Sequence, residues 1–257
     1  MSVLRYELDG PLAVLTLDAP PVNLFDAGVI DALAEAIEAL ERPGPRGLLI
    51  CAEGRVVSGG VDVHLFDGLS AQQGHALWER LLGLIHRVEA LPFPTVFAAH
   101  ALCLTAAFEL SLACDLLLAA ESARFGLVET VVGLTPAMGG TQRLAARAGP
   151  ARARELVMTG ELFDARTLER WNVVNRVLPD EGFDAGARTF ARRLADGPTR
   201  AHAATKAIVD AQVQGGVHHA DGVVPERAGD LFATEDLRGA VASFLKQGPG
   251  HATYRGR

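Results

Sequence analysis

Cysteine is scarce in this chain of 257 residues. Only three are present, Cys51, Cys103 and Cys114, and no two of them have the C-x-x-C spacing of many zinc and redox sites. An odd number of scattered cysteines does not support the disulfide framework of a small secreted domain. We therefore expect free thiols and a reducing compartment, the cytoplasm.

Positive charge is also in short supply. The chain has 24 Lys and Arg residues against 31 Asp and Glu residues, which gives a formal net charge of -7. This is the wrong sign for a surface that gathers a polyphosphate backbone. We expect no nucleic-acid partner.

A long apolar segment free of charges is missing as well. The best membrane candidate, residues 96–118, contains Glu109 and Asp115. Each of these would cost roughly 2.5–3.5 kcal/mol near the centre of a bilayer. The first residues include several charges and no apolar run of the signal-peptide type. We expect residues 96–118 to lie in a protein core, and we expect no membrane partner.

Short apolar runs alternate with helical periodicity along most of the chain. Strands are predicted at residues 4–8, 13–17, 47–52, 95–99, 115–119 and 173–178. Helices are predicted at residues 26–40, 71–91, 150–159 and 182–194, and beyond Pro198 only helices, at 199–213 and 235–247. The pattern predicts an α/β fold with two parts: a core, residues 1–197, and a C-terminal helical segment, residues 198–257. We expect the active site in the core and a role in oligomerisation for the C-terminal segment.

Paired glycines follow the strand predicted at residues 47–52. The segment Val57-Ser58-Gly59-Gly60-Val61-Asp62 can turn sharply and expose its backbone N–H groups, because glycine adopts conformations closed to other residues. It matches neither G-x-G-x-x-G nor G-x-x-x-x-G-K-[ST], so nucleotide-loop interpretations fail. Taken alone, it indicates no more than a turn.

Neither a metal site nor a catalytic serine is predicted. Ser58 lacks the G-x-S-x-G context of a nucleophile elbow and has no obvious base. The histidines are not spaced as metal ligands. They include His64, His75, His86, His100 and the adjacent pair His218-His219.

Two glutamates lie in apolar surroundings. Glu109 belongs to a nearly all-apolar helix that Thr105 can cap, and Glu129 lies in a valine-rich segment. A carboxylate in such surroundings is rare unless it is paired or functional. The two together suggest general acid and base chemistry. For Glu109 the structural alternative is a salt bridge to an arginine such as Arg143.

Taken together, these segments resemble the crotonase superfamily, the enoyl-CoA hydratase/isomerase group. The family's S/A-G-G/A-x-D loop is similar to residues 58–62, its E-L-x-x-x-C-D helix end to residues 109–115, and its F-G-x-x-E…G-x-x-P-x-x-G-G-T-Q-R-L block to residues 125–144. Pro20-Pro21-Val22-Asn23 resembles its opening P-x-x-N pattern. The resemblance covers nearly the whole chain. It implies a spiral of strand-strand-helix units followed by a helical C-terminal segment.

The resemblance also implies roles for individual residues. The backbone N–H groups of Val61 and Ala106 would form an oxyanion hole for a thioester carbonyl. Ala106 lies at a predicted helix N-terminus, where unpaired amides and the helix dipole favour negative charge. Glu109 and Glu129 would hold a water and add it across the double bond of a 2-enoyl-CoA.

Coenzyme A is expected as part of the substrate, with no separate cofactor. By resemblance its contacts would lie in two loops and on a cation in the C-terminal segment. The residues are Val22, Leu24, Gly60, Val61, Asp62, Val63 and Lys246, the last for the 3′-phosphate. A homotrimer or hexamer is implied as well, and apolar residues of the C-terminal segment need such a surface to cover them.

The expected function is hydration of a 2-enoyl-CoA in fatty acid metabolism, because both glutamates are present. Isomerisation of a double bond, dehydration of a 3-hydroxyacyl thioester and non-catalytic acyl-CoA binding remain alternatives. The sequence departs from the family's pattern at Thr105-Ala106-Ala107, where many relatives have a run of glycines. A positive φ there would be penalised. We expect the Ala106 amide to survive and the pocket floor to be slightly raised.

Overall fold

The structure is a computed structural model and describes residues 3–257. These residues form nine strands in two sheets. The strands are β1 (Leu4–Asp9), β2 (Leu12–Leu17), β3 (Gly47–Ala52), β4 (Thr95–Ala99), β5 (Cys103–Leu104), β6 (Leu116–Ala120), β7 (Arg124–Gly126), β8 (Phe163–Asp164) and β9 (Arg176–Leu178). The larger sheet has the order β1-β2-β3-β4-β6-β9, and the smaller has the order β5-β7-β8.

Residues 3–257 also form ten α-helices. They are α1 (Ala27–Leu40), α2 (Ala71–Glu89), α3 (Thr105–Ala113), α4 (Gly140–Ala148), α5 (Pro150–Thr159), α6 (Ala165–Arg170), α7 (Phe183–Ala195), α8 (Thr199–Gly215), α9 (Val217–Gly229) and α10 (Glu235–Gln247). Short 3-10 helices lie at Val63–Phe66, Glu129–Val132 and Asp230–Ala233. The α/β class and the helical C-terminal segment predicted from the sequence are confirmed.

The larger sheet is parallel except at one edge. β1 pairs with β2 in antiparallel orientation, and the other four pairings are parallel. β2 and β4 are almost wholly buried, as their apolar sequences predict for strands covered on both faces. β4-β5-α3 and β6-β7-α4 each form a strand-strand-helix unit. This repetition is the spiral that the resemblance implies.

Local sequence signals account for the longer helices. Asp26 caps α1 by accepting a hydrogen bond from the Val29 N–H at 2.8 Å, and Ser70 forms a capping box with Gln73 at the start of α2. The buried faces of both helices carry apolar residues at steps of three and four. Both helices were predicted within two residues of their observed ends.

Several elements were not predicted. β5 and β8 have two residues each, which is too short for a periodic pattern, and α9 contains both Gly222 and Pro225. His218 and His219 lie in α9. The last predicted strand begins only at Arg176.

The C-terminal segment packs on the core through α8 and through its last residues. Lys206 on α8 forms an ion pair with Asp115 at 3.0 Å. Near the C-terminus, the Arg255 and Gly256 N–H groups donate to Asp236, and Arg46 donates to the Tyr254 carbonyl at 2.9 Å.

Eight large apolar side chains of this segment are exposed. They are Val209, Val213, Val217, Val224, Phe232, Val241, Phe244 and Leu245. The division at residue 198 and the role of the segment in oligomerisation stay predictions. No helix within residues 3–257 combines the length and apolar character needed to span a bilayer.

Candidate active site

Glu109 is the most deeply buried of the predicted site residues with an ionisable side chain. It lies in α3, a helix in which every residue is buried, and is 2% exposed. Its Oε1 accepts hydrogen bonds from the backbone N–H groups of Met138 at 2.9 Å and Gly140 at 2.8 Å. Arg143 forms its ion pair with Glu89 instead. The structural alternative for Glu109, a salt bridge to Arg143, is therefore not present.

The glycine pair before α4 fits closely around Glu109. Gly139 has a φ of +94°, and a Cβ atom on Gly140 would lie 2.6 Å from the Glu109 Cγ atom. Arg143 also donates to the Gly139 carbonyl at 3.2 Å, so its ion pair with Glu89 steadies this turn. The Gly-Gly pair allows two backbone amides to approach one buried carboxylate.

Glu129 begins the 3-10 helix Glu129–Val132, a short distance beyond β7. Both of its carboxylate oxygens are buried, and neither has a hydrogen-bond partner among residues 3–257. A buried carboxylate without any partner is costly and is uncommon outside functional sites. The structure thus leaves this group free for a ligand or a water.

Burial perturbs the proton affinity of both glutamates. Burial and, to a smaller extent, the nearby charge of Glu129 raise the pKa of Glu109 to about 8 against the opposing hydrogen bond from Gly140. Burial also raises the pKa of Glu129 to about 7. Near neutral pH the two carboxyl groups therefore hold about one proton between them, which is the condition for one to act as acid and the other as base.

The parallel sheet explains why distant segments meet at this site. The loop at residues 58–61 follows β3, α3 follows β4 and β5, and Glu129 follows β6 and β7. These three strands of the larger sheet, β3, β4 and β6, are adjacent and parallel. Their carboxyl ends meet at one edge of the sheet, which is where open α/β sheets commonly bind ligands.

Ser58 holds the glycine loop in place. Its hydroxyl donates to the Asn23 carbonyl at 2.6 Å and accepts from the Gly60 N–H at 3.0 Å. A backbone bridge pairs Ser58 with Cys103, and the Leu104 N–H donates to the Ser58 carbonyl at 3.2 Å. The loop that carries Val61 is thereby fixed beside the start of α3, which carries Ala106.

The two predicted oxyanion-hole amides are available for a ligand. No hydrogen bond within residues 3–257 uses the Val61 N–H, and Ala106 lies in the first turn of α3, where N–H groups lack an intrahelical acceptor. Thr105 was expected to cap this helix, and that expectation was wrong. The N-cap is Leu104, and Thr105 is the first helical residue, with a φ of +44°.

The segments predicted to hold coenzyme A lie side by side. The Gly59 N–H donates to the Val22 carbonyl at 2.7 Å, and the Phe25 N–H donates to the Gly60 carbonyl at 2.8 Å. Val22 and Leu24 are half-buried here, and Asn23 anchors the segment from below through hydrogen bonds to the carbonyls of Glu53 and Val56.

Beyond Gly60 the chain turns outwards. The Asp62 carboxylate forms a hydrogen bond of 2.7 Å with the exposed imidazole of His64, and this hydrogen bond raises the pKa of His64. Val63 is exposed. Phe66 and Trp78 pack against each other with ring centroids 5.4 Å apart.

Lys246 is exposed on α10, and no ion pair or hydrogen bond within residues 3–257 joins it to these loops. α10 begins beside the C-terminal residues that pack near Arg46. Arg46 precedes β3, whereas the glycine loop follows this strand. Contact of Lys246 with coenzyme A stays a prediction.

Sequence reasoning missed the supporting backbone of the site. The amides of Met138 and Gly140 hold Glu109, while Asn23 and Ser58 join two loops. The glycine pair at 139–140 was a visible signal, but its target lies 30 residues away in sequence and could not be read from it. No group of three or more metal-binding side chains occurs within residues 3–257.

The spiral of strand-strand-helix units that carries these two buried carboxyl groups is a crotonase-type fold. The sequence model of the enoyl-CoA hydratase/isomerase family matches residues 7–251. The chain belongs to this family.

Relatives and solved structures agree with this assignment along nearly the whole chain. A Rhodobacter capsulatus protein named "probable enoyl-CoA hydratase" is 31% identical over 255 residues, covering 98% of each chain. A Bacillus subtilis protein of the same name is 29% identical, covering 96% of this chain and 97% of its own. A crystal structure of an enoyl-CoA hydratase subunit from Geobacillus kaustophilus superposes with a TM-score of 0.92 at 28% identity, covering 99% of this chain and 98% of that one.

Proposed function

We propose that this protein adds water to a 2-enoyl-CoA thioester and forms the 3-hydroxyacyl-CoA. The observation that carries the proposal is the pair of buried carboxyl groups, Glu109 and Glu129, whose pKa values burial raises to about 8 and about 7. A carboxyl pair that shares one proton near neutral pH suits a reaction that both removes and delivers a proton.

In this mechanism a water lies between the two carboxyl groups. The ionised glutamate takes one proton from the water as the oxygen of that water bonds to the β-carbon of the substrate. The protonated glutamate delivers its proton to the α-carbon. The pair ends the step with one proton, as it began, but on the other carboxyl group, and transfer of that proton through the next water restores the starting state.

The thioester carbonyl gathers negative charge as the water attacks. We place its oxygen at the N–H groups of Val61 and Ala106, which have no other acceptor among residues 3–257. Deleting one oxyanion donor typically raises the barrier by ~2.7–4 kcal/mol. No separate cofactor is needed, because coenzyme A enters as part of the substrate.

The test is a set of single and double changes to glutamine. Glu109→Gln and Glu129→Gln keep the shape of the side chain but remove a proton-transfer partner, so each should lower kcat by about 10²–10⁴-fold. The double change should cost less than the product of the two, because the residues act as a unit. Loss of the ultraviolet absorbance of the enoyl thioester measures hydration.

The outcomes separate the competing functions. If Glu129→Gln hydrates a short enoyl-CoA at the rate of the unchanged protein, the hydratase mechanism is wrong. If Glu109→Gln is silent and Glu129→Gln is inactive, double-bond isomerisation takes its place, and a 3-enoyl-CoA should then gain absorbance as it becomes conjugated. Production of enoyl absorbance from a 3-hydroxyacyl thioester would indicate dehydration as the main direction. Binding with unchanged absorbance would indicate an acyl-CoA binding protein.

A further inference from the structure

Thr105 combines two unfavourable features at the edge of the candidate oxyanion hole. Its φ of +44° lies in the left-handed region, which a β-branched residue rarely adopts. Its side chain is 7% exposed, and its buried Oγ1 has no hydrogen-bond partner among residues 3–257. A buried hydroxyl without a partner destabilises the protein unless something else bonds it. Backbone strain of this kind is concentrated at functional sites.

The hydroxyl of Thr105 lies between the two loops that supply the oxyanion amides. A Cβ atom built on Gly60 would lie 2.7 Å from Thr105 Oγ1, so this oxygen packs directly against the Gly60 backbone. Gly60 immediately precedes Val61, and Thr105 immediately precedes Ala106. Gly60 and Thr105 are in contact, and each is therefore next in sequence to one of the two free amides. The Ser58–Cys103 bridge holds the two loops in this register.

We propose that the Thr105 hydroxyl is a third hydrogen-bond donor to the thioester carbonyl oxygen, beside the amides of Val61 and Ala106. The inference rests on the proposed function, which puts that oxygen between the two loops. A hydroxyl hydrogen rotates to suit its acceptor, so Thr105 can follow the oxygen as the carbonyl becomes an oxyanion. The bond to the charged oxyanion is stronger than the bond to the neutral carbonyl. The hydroxyl is therefore a catalytic group that favours the transition state over the bound substrate.

The first experiment compares Thr105→Val with Thr105→Ser. Valine keeps the branched shape and removes the donor, while serine keeps the donor. We expect kcat for an enoyl-CoA to fall at least tenfold in Thr105→Val, towards the ~10²–10³-fold loss typical of a deleted oxyanion donor. Thr105→Ser should stay within about threefold of the unchanged protein, because it still donates a hydrogen bond.

Thr199→Val is the matched control. Thr199 is also a buried threonine whose Oγ1 has no partner among residues 3–257, but it begins α8, where a Cβ atom built on Gly256 would lie 3.2 Å from this oxygen. This change should leave kcat unaltered. If Thr105→Val does not fold, Thr105→Gly serves in its place, because it removes the donor and glycine adopts the positive φ without strain.

A binding measurement keeps the inference separate from the reaction itself. Titration calorimetry with a saturated acyl-CoA and with its thioether analogue compares ligands that differ only in the carbonyl oxygen. Thr105→Val should weaken thioester binding by about fivefold, as for one hydrogen bond to a neutral oxygen, and should leave thioether binding unchanged. This result is expected whichever reaction the site performs, so failure of the hydratase proposal would not obscure it.

Two results would overturn the proposal. In the first, folded Thr105→Val turns over as fast as the unchanged protein and binds the thioester equally well. In the second, it loses affinity for thioester and thioether alike, which would make Thr105 a packing residue of the loop.

Discussion

Glu129→Gln should make the protein more stable above neutral pH while it removes activity. Burial raises the pKa of Glu129 from 4.5 to about 7, so the folded protein binds more protons than the unfolded chain between these values. The free energy of unfolding therefore falls as pH rises through this window. At about 1.4 kcal/mol for each pKa unit, the loss reaches at most about 3 kcal/mol above pH ~7.5. A glutamine has the same shape but is never ionised, so the Glu129→Gln protein avoids this loss of stability.

A second contribution has the same sign. The charge of Glu129 helps to raise the pKa of Glu109, so the change to glutamine should lower that pKa and the cost of ionising Glu109 with it. We expect the free energy of unfolding of Glu129→Gln to exceed that of the unchanged protein by about 1–3 kcal/mol at pH 8, and the difference to shrink below about 1 kcal/mol near pH 5.

Urea unfolding followed by circular dichroism, at fixed protein concentration and at several values between pH 5 and pH 8.5, measures this difference. Glu161→Gln controls for the removal of one negative charge, because the Glu161 side chain is exposed and has no ion pair within residues 3–257. A Glu129→Gln protein that is no more stable at pH 8 would refute the burial argument. So would an advantage that does not shrink towards pH 5.

Four further predictions concern the site and the assembly. The pH profile of kcat/KM should be bell-shaped, with apparent pKa values near 7 and 8 that belong to the Glu109–Glu129 pair, and a profile flat from pH 6 to 9 would contradict it. Gly140→Ala puts a methyl group 2.6 Å from the Glu109 Cγ atom, so it should cost about 1–3 kcal/mol in urea unfolding and lower kcat. Lys246→Ala should raise KM at nearly constant kcat if Lys246 binds coenzyme A, and an unchanged KM would remove it from the site. Light scattering at micromolar concentration should show a trimer or hexamer, and a 27.2 kDa monomer would disprove the oligomer.

The candidate site holds several groups that lower the stability of the free protein. Glu129 has a buried carboxyl group without a partner, Thr105 has both strain and an unpartnered hydroxyl, and Glu109 is a carboxylate in an apolar helix. Elsewhere, α1 and α2 are capped and their apolar faces are buried, although Thr199 and His202 on α8 also have buried polar atoms without a partner. Such clustering is expected where pre-organisation for a ligand outweighs local stability.

Periodic elements could be predicted from the sequence because their signals are local. The alternation of apolar residues at steps of three and four predicted α1, α2, α5 and α10 closely, and continuous apolar runs predicted the buried parallel strands. The bridging strands β5, β7 and β8 could not be predicted in this way. They have two or three residues, and their pairing depends on which loops the larger sheet brings together.

The sequence by itself determined the fold class, through its local periodicity, and the family, through motifs that resemble those of the crotonase superfamily. It also singled out Glu109 and Glu129 as candidates, because a carboxylate in an apolar segment is recognisable in one dimension. Only the tertiary structure decided what surrounds them. In the folded chain Glu109 accepts hydrogen bonds from the amides of Met138 and Gly140 and forms no ion pair with Arg143, and neither carboxylate oxygen of Glu129 has a partner within residues 3–257. Hydrogen bonds between residues 30 positions apart depend on how parallel strands align at one sheet edge, and no local pattern in the chain encodes that alignment.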